Sequence, residues 1–213
     1  MPFVYWSKCI AAGVLALGLY QSFAPPTSIE HTTGAAGGGK PSTKDRAAGA
    51  IAVGSFLRPF LAACRIALPG IFLYYIFIAG YPDLGYAVRP WTPLEMLAVA
   101  AGVSGTLLRR AAYAELGKLF TYKLTVQKDH ELVGTGPYAL LLHPSYTGLA
   151  LSVVGYVLFY FSLPLWVLAA GAAIGATGVI VRILDEEEML KAHFGAKWAA
   201  HASKRWRVVP FVW

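Results

Sequence analysis

Five apolar segments constrain the fold of this chain more than any other feature. They cover residues 10–23 (extended backwards through 4–6), 57–81, 91–108, 147–161 and 163–183. A helix needs about 20 mostly apolar residues to cross the hydrocarbon core of a bilayer. The runs are continuous and do not alternate with polar residues, which argues against a membrane β-barrel. The sequence therefore predicts an all-α, polytopic integral membrane protein with about five transmembrane helices.

The composition agrees with that class. Charged residues make up 14% of the chain and hydrophobic residues 57%, whereas a soluble domain carries about a quarter charged residues. The net charge of +7 would indicate nucleic-acid binding in a soluble protein, but cytosolic loops of membrane proteins are enriched in Lys and Arg. We therefore expect no nucleic-acid partner. Cys9 and Cys64 both lie in apolar surroundings and are expected to pack there, since one pair makes no disulfide framework.

The distribution of basic residues predicts the orientation in the membrane. Five Lys or Arg fall in 25–66, five in 109–146 and six in 182–213, against one or none in the intervening loops. By the positive-inside rule the N-terminus faces the lumen and the C-terminus the cytosol. Cleaving residues 1–24 as a signal peptide would put the basic stretch 25–66 on the wrong side, so 1–24 is predicted to be the first transmembrane segment.

The segments are predicted to form one membrane-embedded domain, residues 1–213. Residues 25–46 are rich in Pro, Gly, Ser and Thr, which indicates a flexible linker. Ser162 and Pro164 leave room only for a tight turn, so the last two segments are predicted to form a helical hairpin. Beyond it, Leu190, Phe194 and Trp198 recur at i, i+4 and i+8. They predict one amphipathic helix that lies on the membrane surface or folds back over the preceding loop.

A polar, turn-rich block, residues 127–146, stands between two of the apolar segments. Pro144 suits the first turn of the following helix, whose free amides can bind an anion. His143, directly before it, can donate a hydrogen bond to a carboxylate. Ordinary helix capping beside a belt of interfacial tyrosines explains the same residues, so chemistry alone leaves both interpretations open.

Arg182 and Glu186 stand at the end of the last apolar segment and share a helix face. An ionisable residue there is a candidate functional group, and the planar fork of Arg182 suits a carboxylate. Snorkelling of Arg182 to lipid phosphate is the alternative. The other acidic residues of this run, Asp185, Glu187 and Glu188, fall on other helix faces, and most of the run is expected to be solvated.

Other kinds of site are poorly supported. The histidines at 130, 143, 193 and 201 match no common metal spacing, so no metal is expected. Ser145 lacks the elbow motif that presents a nucleophilic serine. The Gly134–Gly136 pair reads as a turn and not as a dinucleotide fingerprint.

The order and spacing of six blocks resemble the isoprenylcysteine carboxyl methyltransferase family. The resemblance covers about residues 105–213. The blocks are Gln127, His130-Glu-Leu-Val133, Gly136-Pro-Tyr138, His143-Pro-Ser-Tyr146, Arg182-x-x-x-Glu186-Glu-Glu and Phe194-Gly195.

That resemblance implies an enzyme of the endoplasmic reticulum membrane with its active site on the cytosolic side. It implies methyl transfer from S-adenosylmethionine to the C-terminal carboxylate of a prenylated cysteine in CaaX proteins, beside membrane lipid. By resemblance, Arg182 is catalytic and binds the substrate carboxylate. The residues implied in cofactor binding are Gln127, His130, Glu131, Leu132, Val133, Tyr138, His143, Pro144, Ser145, Tyr146 and Glu186.

Three other functions remain open from the sequence. A phospholipid N-methyltransferase would share the cofactor but needs an amine acceptor, which Arg182 does not favour. A membrane sterol reductase would use NADPH. A non-catalytic membrane scaffold would tolerate replacement of His143, Arg182 and Glu186.

Overall fold

The computed structural model describes residues 2–23, 67, 70–71, 73, 90–117, 132–161 and 164–213. Within them the helices are α1 (Pro2–Phe23), α2 (Pro93–Leu116), a 3₁₀ turn (Gly136–Ala139), α3 (Pro144–Tyr160), α4 (Leu165–Phe194) and α5 (Ala196–Ala202). This part of the chain forms no β-strand, only an isolated parallel bridge between Leu141 and Trp206. The all-α class predicted from the sequence is therefore confirmed for it. Phe3–Ser22 and Trp166–Phe194 are long and apolar enough to cross a membrane.

The third predicted segment extends further than its apolar run. Helix α2 begins with a capping box, in which the Thr92 amide donates to Glu95 Oε2 (2.8 Å) and the Glu95 amide donates to Thr92 Oγ1 (3.2 Å). Pro93 occupies the first helical position, where its missing amide costs nothing. The helix continues past Arg109 to Leu116. The linker 25–46 and most of the segment 57–81 lie outside the described residues.

The chain divides into two compact units. The first contains α1, α2 as far as Leu107, and α3 from Gly148. In this unit α1 and α2 run parallel, because Lys8 pairs with Glu95 near their starts and a Cβ on Gly18 would meet Thr106 near their ends. Helix α3 runs antiparallel to α2: the Ser152 and Thr106 hydroxyls lie 3.3 Å apart, and Gly155 faces the earlier turns of α2.

A buried ion pair joins α1 and α2. Lys8 is only 1% exposed and its Nζ lies 2.6 Å from Glu95 Oε1. The same ammonium lies over the Trp91 ring, 5.6 Å from its centroid, and the Trp91 indole donates to Ser7 Oγ at 3.0 Å. Leaving one buried charge without its partner is costly, so this contact fixes which faces of the two helices meet.

Glycines set the distance between α2 and α3. A Cβ on Gly155 would lie 2.5 Å from the Ala98 carbonyl oxygen and 2.5 Å from the Gly102 amide nitrogen. Both are backbone atoms that cannot move aside without displacing a helix. Small residues at such positions let helix backbones approach closely in membrane proteins.

Replacing Gly155 with alanine is therefore expected to destabilise the first unit, by about 1–3 kcal/mol as for other overpacked sites. Gly171→Ala on α4 is the matched control, since a Cβ there meets nothing within 4 Å. In an open helical position alanine is favoured over glycine by about 1 kcal/mol, so the control should be neutral or stabilising. Thermal unfolding in detergent measures both variants. Equal effects of the two substitutions would contradict this packing.

The second unit contains the end of α2 from Leu108, the residues before α3, and the chain from α4 onwards. The single amphipathic helix predicted through Leu190, Phe194 and Trp198 is wrong. Gly195 adopts φ 54° and ψ −122° and separates α4 from α5. Glycine tolerates this positive φ because it has no Cβ.

The second half of that prediction, a fold back over the preceding loop, agrees with the contacts. Trp198 in α5 is buried and stacks on His201, with ring centroids 5.9 Å apart. Just after α5, Arg205 Nε donates to the Tyr138 carbonyl at 2.7 Å. The chain therefore returns to the polar block after leaving α4.

Candidate active site

Glu186, on α4, is the centre of a polar cluster within the second unit. The Tyr146 hydroxyl donates to Glu186 Oε1 at 2.9 Å. Arg182, one turn earlier on the same helix, brings its Nε within 3.4 Å of the same oxygen. His143 Nδ1 lies 3.6 Å from the other oxygen, Oε2. The cluster thus connects Tyr146 of α3, and His143 just before α3, with Arg182 and Glu186 in the C-terminal half of helix α4.

His143 lies between two carboxylates. Its side chain is 6% exposed, and its second ring nitrogen, Nε2, lies 3.4 Å from Glu187 Oε1. A histidine ring offers one donor when neutral and two when protonated. Glu186 and Glu187 occupy opposite sides of the ring, so together they determine how it is oriented.

Glu187 is held by Arg207 from the C-terminal tail, residues 203–213. Arg207 Nε lies 2.7 Å from Glu187 Oε1 and its Nη2 lies 3.0 Å from Oε2. This is the bidentate geometry that a guanidinium makes with a carboxylate. The hydrogen bond with Glu187 raises the pKa of Arg207. Asp185 and Glu188 are exposed, as expected for most of the acidic run, but the Glu187 side chain is only 12% exposed because the tail covers it.

The tail pairs with the polar block through the backbone. The backbone bonds are Leu142 N to Trp206 O (2.7 Å), Trp206 N to Leu140 O (3.1 Å) and His143 N to Arg207 O (2.9 Å). In addition, the Thr147 side-chain hydroxyl donates to the Val208 carbonyl at 2.7 Å. These bonds fix the residues before α3 in register with the tail. This contribution of the tail was not predicted from the sequence. The signal available was the basic-aromatic run Arg205-Trp206-Arg207, which no helical pattern explained.

Tyr138 is buried on the 3₁₀ turn. Burial raises the pKa of its hydroxyl, and the negative charge of Glu186 raises it further, so the group stays protonated and can donate. The turn itself depends on Gly136, which has φ 54° and packs so close to Glu115 that a Cβ would lie 2.9 Å from Oε2. Glu115 in turn accepts a hydrogen bond from Thr135 Oγ1.

Arg109 also lies within the second unit. It is 8% exposed, its Nη1 donates to the Ser145 carbonyl at 2.7 Å, and its guanidinium lies over the Tyr113 ring, 4.8 Å from the centroid. It anchors the first turn of α3 against the end of α2.

The structure therefore brings together five of the residues predicted from the sequence: Tyr138, His143, Tyr146, Arg182 and Glu186. Pro144 is fully buried at the start of α3, as its helix-initiating role predicted. Ser145 follows it, and its carbonyl accepts the bond from Arg109. Leu132 and Val133 precede the turn and are half-buried. Gln127, His130 and Glu131 lie outside the described residues.

The donor and acceptor set of the cluster suits a zwitterionic ligand. The Glu186 carboxylate can accept from an ammonium or from hydroxyls, and the Arg182 guanidinium with two tyrosine hydroxyls can donate to a carboxylate. In the part of the chain that the structure describes, no three His, Cys, Asp or Glu side chains are grouped to hold a metal ion.

Comparison with known proteins gives a consistent match. Residues 97–192 match the model of the isoprenylcysteine carboxyl methyltransferase (ICMT) family. Protein-S-isoprenylcysteine O-methyltransferase B of Arabidopsis thaliana is 30% identical over 112 residues, which are 52% of this chain and 56% of the relative. Protein-S-isoprenylcysteine O-methyltransferase A of the same plant is 31% identical over 118 residues, with the same coverage.

A probable protein-S-isoprenylcysteine O-methyltransferase of Oryza sativa subsp. indica is 27% identical over 120 residues, 58% of its length. The chain thus spans just over half the length of the curated relatives it matches. The matched residues 97–192 include every member of the cluster except the C-terminal tail.

Proposed function

We propose that this chain methylates the C-terminal carboxylate of prenylated cysteines in CaaX-processed proteins, because residues 97–192 match the isoprenylcysteine carboxyl methyltransferase family. The methyl donor would be S-adenosylmethionine. The observation that carries the proposal is the contact of Arg182, Glu186 and Tyr146 around one carboxylate oxygen.

The cluster fits the proposed cofactor. S-Adenosylmethionine supplies an electrophilic methyl group on a sulfonium, and its amino-acid part carries one ammonium and one carboxylate. Glu186 would accept from the ammonium or from a ribose hydroxyl. His143 would bind the carboxylate, and Tyr138 and Tyr146 would pack beside it. Leu132, Val133, Pro144 and Ser145 would line this region, with Gln127, His130 and Glu131 from the same block.

Arg182 would hold the acceptor carboxylate. A C-terminal carboxylate is ionised at neutral pH, so the enzyme needs no general base. Orientation of the acceptor is then the main task of the protein. Arg182 is 28% exposed, which leaves its guanidinium reachable by a substrate. Its contact with Glu186 supports the proposal, because the group that would hold the acceptor lies beside the group that would hold the cofactor.

We further propose that the chain crosses the endoplasmic reticulum membrane with a lumenal N-terminus and a cytosolic active site. The parallel packing of α1 and α2 supports the topology, because parallel helices in one membrane need an odd number of crossings between them. The segment 57–81 would supply that crossing. Residues 169–178 of α4 are apolar except for Thr177 and are all exposed, as expected of a surface covered by lipid.

Competing functions make different predictions. A phospholipid N-methyltransferase needs an amine acceptor, and Arg182 would repel an ammonium. A sterol reductase would bind NADPH, and a scaffold would bind neither cofactor. The family match favours the carboxyl methyltransferase over all three.

A binding experiment separates the two methyltransferase functions from the reductase and the scaffold. Purified full-length protein in detergent should be stabilised against thermal unfolding by S-adenosylmethionine or its demethylated product, since a ligand that binds the folded state raises the melting temperature. NADPH should have no effect. Stabilisation by NADPH, or by neither compound, would contradict the proposal.

A further inference from the structure

Arg207 lies outside the matched region of the chain, yet it contacts the cluster directly. We infer that Arg207 is a positioning residue for the cofactor site, and that the C-terminal tail is therefore part of that site. The inference rests on the proposed function and deepens it. Arg207 would act through Glu187 and His143, without touching the cofactor.

Arg207 holds the Glu187 carboxylate in place. Two short contacts, 2.7 Å and 3.0 Å, join the two forks. The guanidinium also lies over the Trp213 ring, 5.4 Å from its centroid. Arg207 is 40% exposed while Glu187 is 12% exposed. The carboxylate is therefore the more buried partner, and it depends on Arg207 to balance its charge.

Glu187 in turn contacts the His143 ring. Glu187 Oε1 accepts from Arg207 Nε and also lies 3.4 Å from His143 Nε2. One oxygen thus serves both the tail and the histidine. With Glu187 fixed by Arg207, His143 is held so that its opposite nitrogen faces Glu186 Oε2.

Arg207 also holds His143 through a backbone hydrogen bond. The amide of His143 donates to the carbonyl of Arg207 at 2.9 Å. The same tail residue therefore holds His143 at its backbone and, through Glu187, at its ring. A purely structural tail would need only the backbone bonds, whereas the side-chain route leads to the residue proposed to bind the cofactor carboxylate.

Removing the Arg207 side chain would leave Glu187 without its guanidinium partner. Glu187 would then be a mostly buried carboxylate next to Glu186, with His143 as its remaining polar neighbour among the contacts described above. His143 would be drawn towards Glu187 and away from Glu186. The cofactor site would lose its preformed geometry while Arg182 and its substrate contact stay in place.

The experiment compares Arg207→Ala and Arg207→Lys with the wild-type chain in detergent. We expect Arg207→Ala to raise the dissociation constant for S-adenosylhomocysteine at least about tenfold, as for loss of a charge-assisted hydrogen bond, while the turnover rate at saturating cofactor is retained. Arg207→Lys keeps the charge but not the fork, so it should give an intermediate value. Lys204→Ala is the matched control, since Lys204 is an exposed cation of the same tail and should bind as wild type.

Glu187→Gln provides a second route to the same answer if Arg207→Ala does not fold. It keeps the shape of the side chain but weakens its contacts with both Arg207 and His143, so it should also raise the dissociation constant. Unchanged cofactor affinity in the folded variants, or a loss of turnover without a loss of affinity, would overturn the role of Arg207. A wild-type chain that binds no S-adenosylhomocysteine would instead overturn the proposed function and this inference with it.

Discussion

Replacing Arg182 with alanine is expected to lower methyl transfer by at least about a hundredfold, the loss that follows when a reacting group is misplaced by about 1 Å. The acceptor carboxylate would lose the bidentate partner that orients it. Cofactor binding should change little, because Glu186, Tyr146 and His143 keep their mutual contacts. The measurements are turnover of a prenylcysteine substrate and, separately, binding of S-adenosylhomocysteine.

The fold should survive this substitution. Arg182 is 28% exposed and its contact with Glu186 is an i, i+4 pair at 3.4 Å, and exposed pairs of this kind contribute about 0.3–0.5 kcal/mol. Lys191→Ala on the same helix is the control for loss of a cation, since Lys191 is exposed. Arg182→Lys should recover part of the activity. Near-normal methylation by Arg182→Ala would remove the basis for assigning the substrate carboxylate to this residue.

Replacing Glu186 with alanine is expected to have the opposite pattern, a loss of cofactor binding. Glu186 accepts from Tyr146 and lies beside both His143 and Arg182. Each buried polar group left without its partner costs about 1–3 kcal/mol, so we expect a lower melting temperature as well. The dissociation constant for S-adenosylhomocysteine should rise roughly tenfold to hundredfold, which corresponds to about 1.4–2.8 kcal/mol.

Two further variants separate the charge of Glu186 from its place in the fold. Glu186→Gln keeps the shape and one acceptor oxygen, so it should fold better than the alanine variant and still bind cofactor weakly. Asp185→Asn removes a neighbouring exposed carboxylate and should bind cofactor as wild type. Calorimetric titration with S-adenosylhomocysteine compares all three variants. If Glu186→Gln binds as tightly as wild type, the carboxylate has no part in the cofactor site.

Regular periodicity made part of the site predictable. Arg182 and Glu186 were expected on one helix face because residues four apart in a helix are neighbours, and the structure brings their side chains within 3.4 Å. Pro144 was expected to start a helix, and α3 begins there. His143 and Tyr146 were expected from the polar block and from the family resemblance, and both reach Glu186.

Two features of the structure could not be predicted from helical periodicity. A helical pattern assigns Glu187 to a face but does not say what covers that face, and the tail that covers it has no periodicity of its own. The break at Gly195 was also missed. The spacing of Leu190, Phe194 and Trp198 favoured one helix, whereas the positive φ of Gly195 redirects the chain.

The Lys8–Glu95 pair was a third omission. In the sequence Lys8 is only a basic residue near the N-terminus. In the structure it is almost fully buried against Glu95. Long-range ion pairs of this kind leave no local signal, because the two residues are 87 positions apart.

The most direct test is transfer of a labelled methyl group from S-adenosylmethionine to N-acetyl-S-farnesylcysteine by the purified full-length chain. The amide of the same compound is the control, because it keeps the farnesyl group and lacks the acceptor carboxylate. We predict base-labile label in the acid, none in the amide, and none with Arg182→Ala. Label in the amide, label in phosphatidylethanolamine in place of the acid, or no transfer by a chain that binds the cofactor would contradict the assignment.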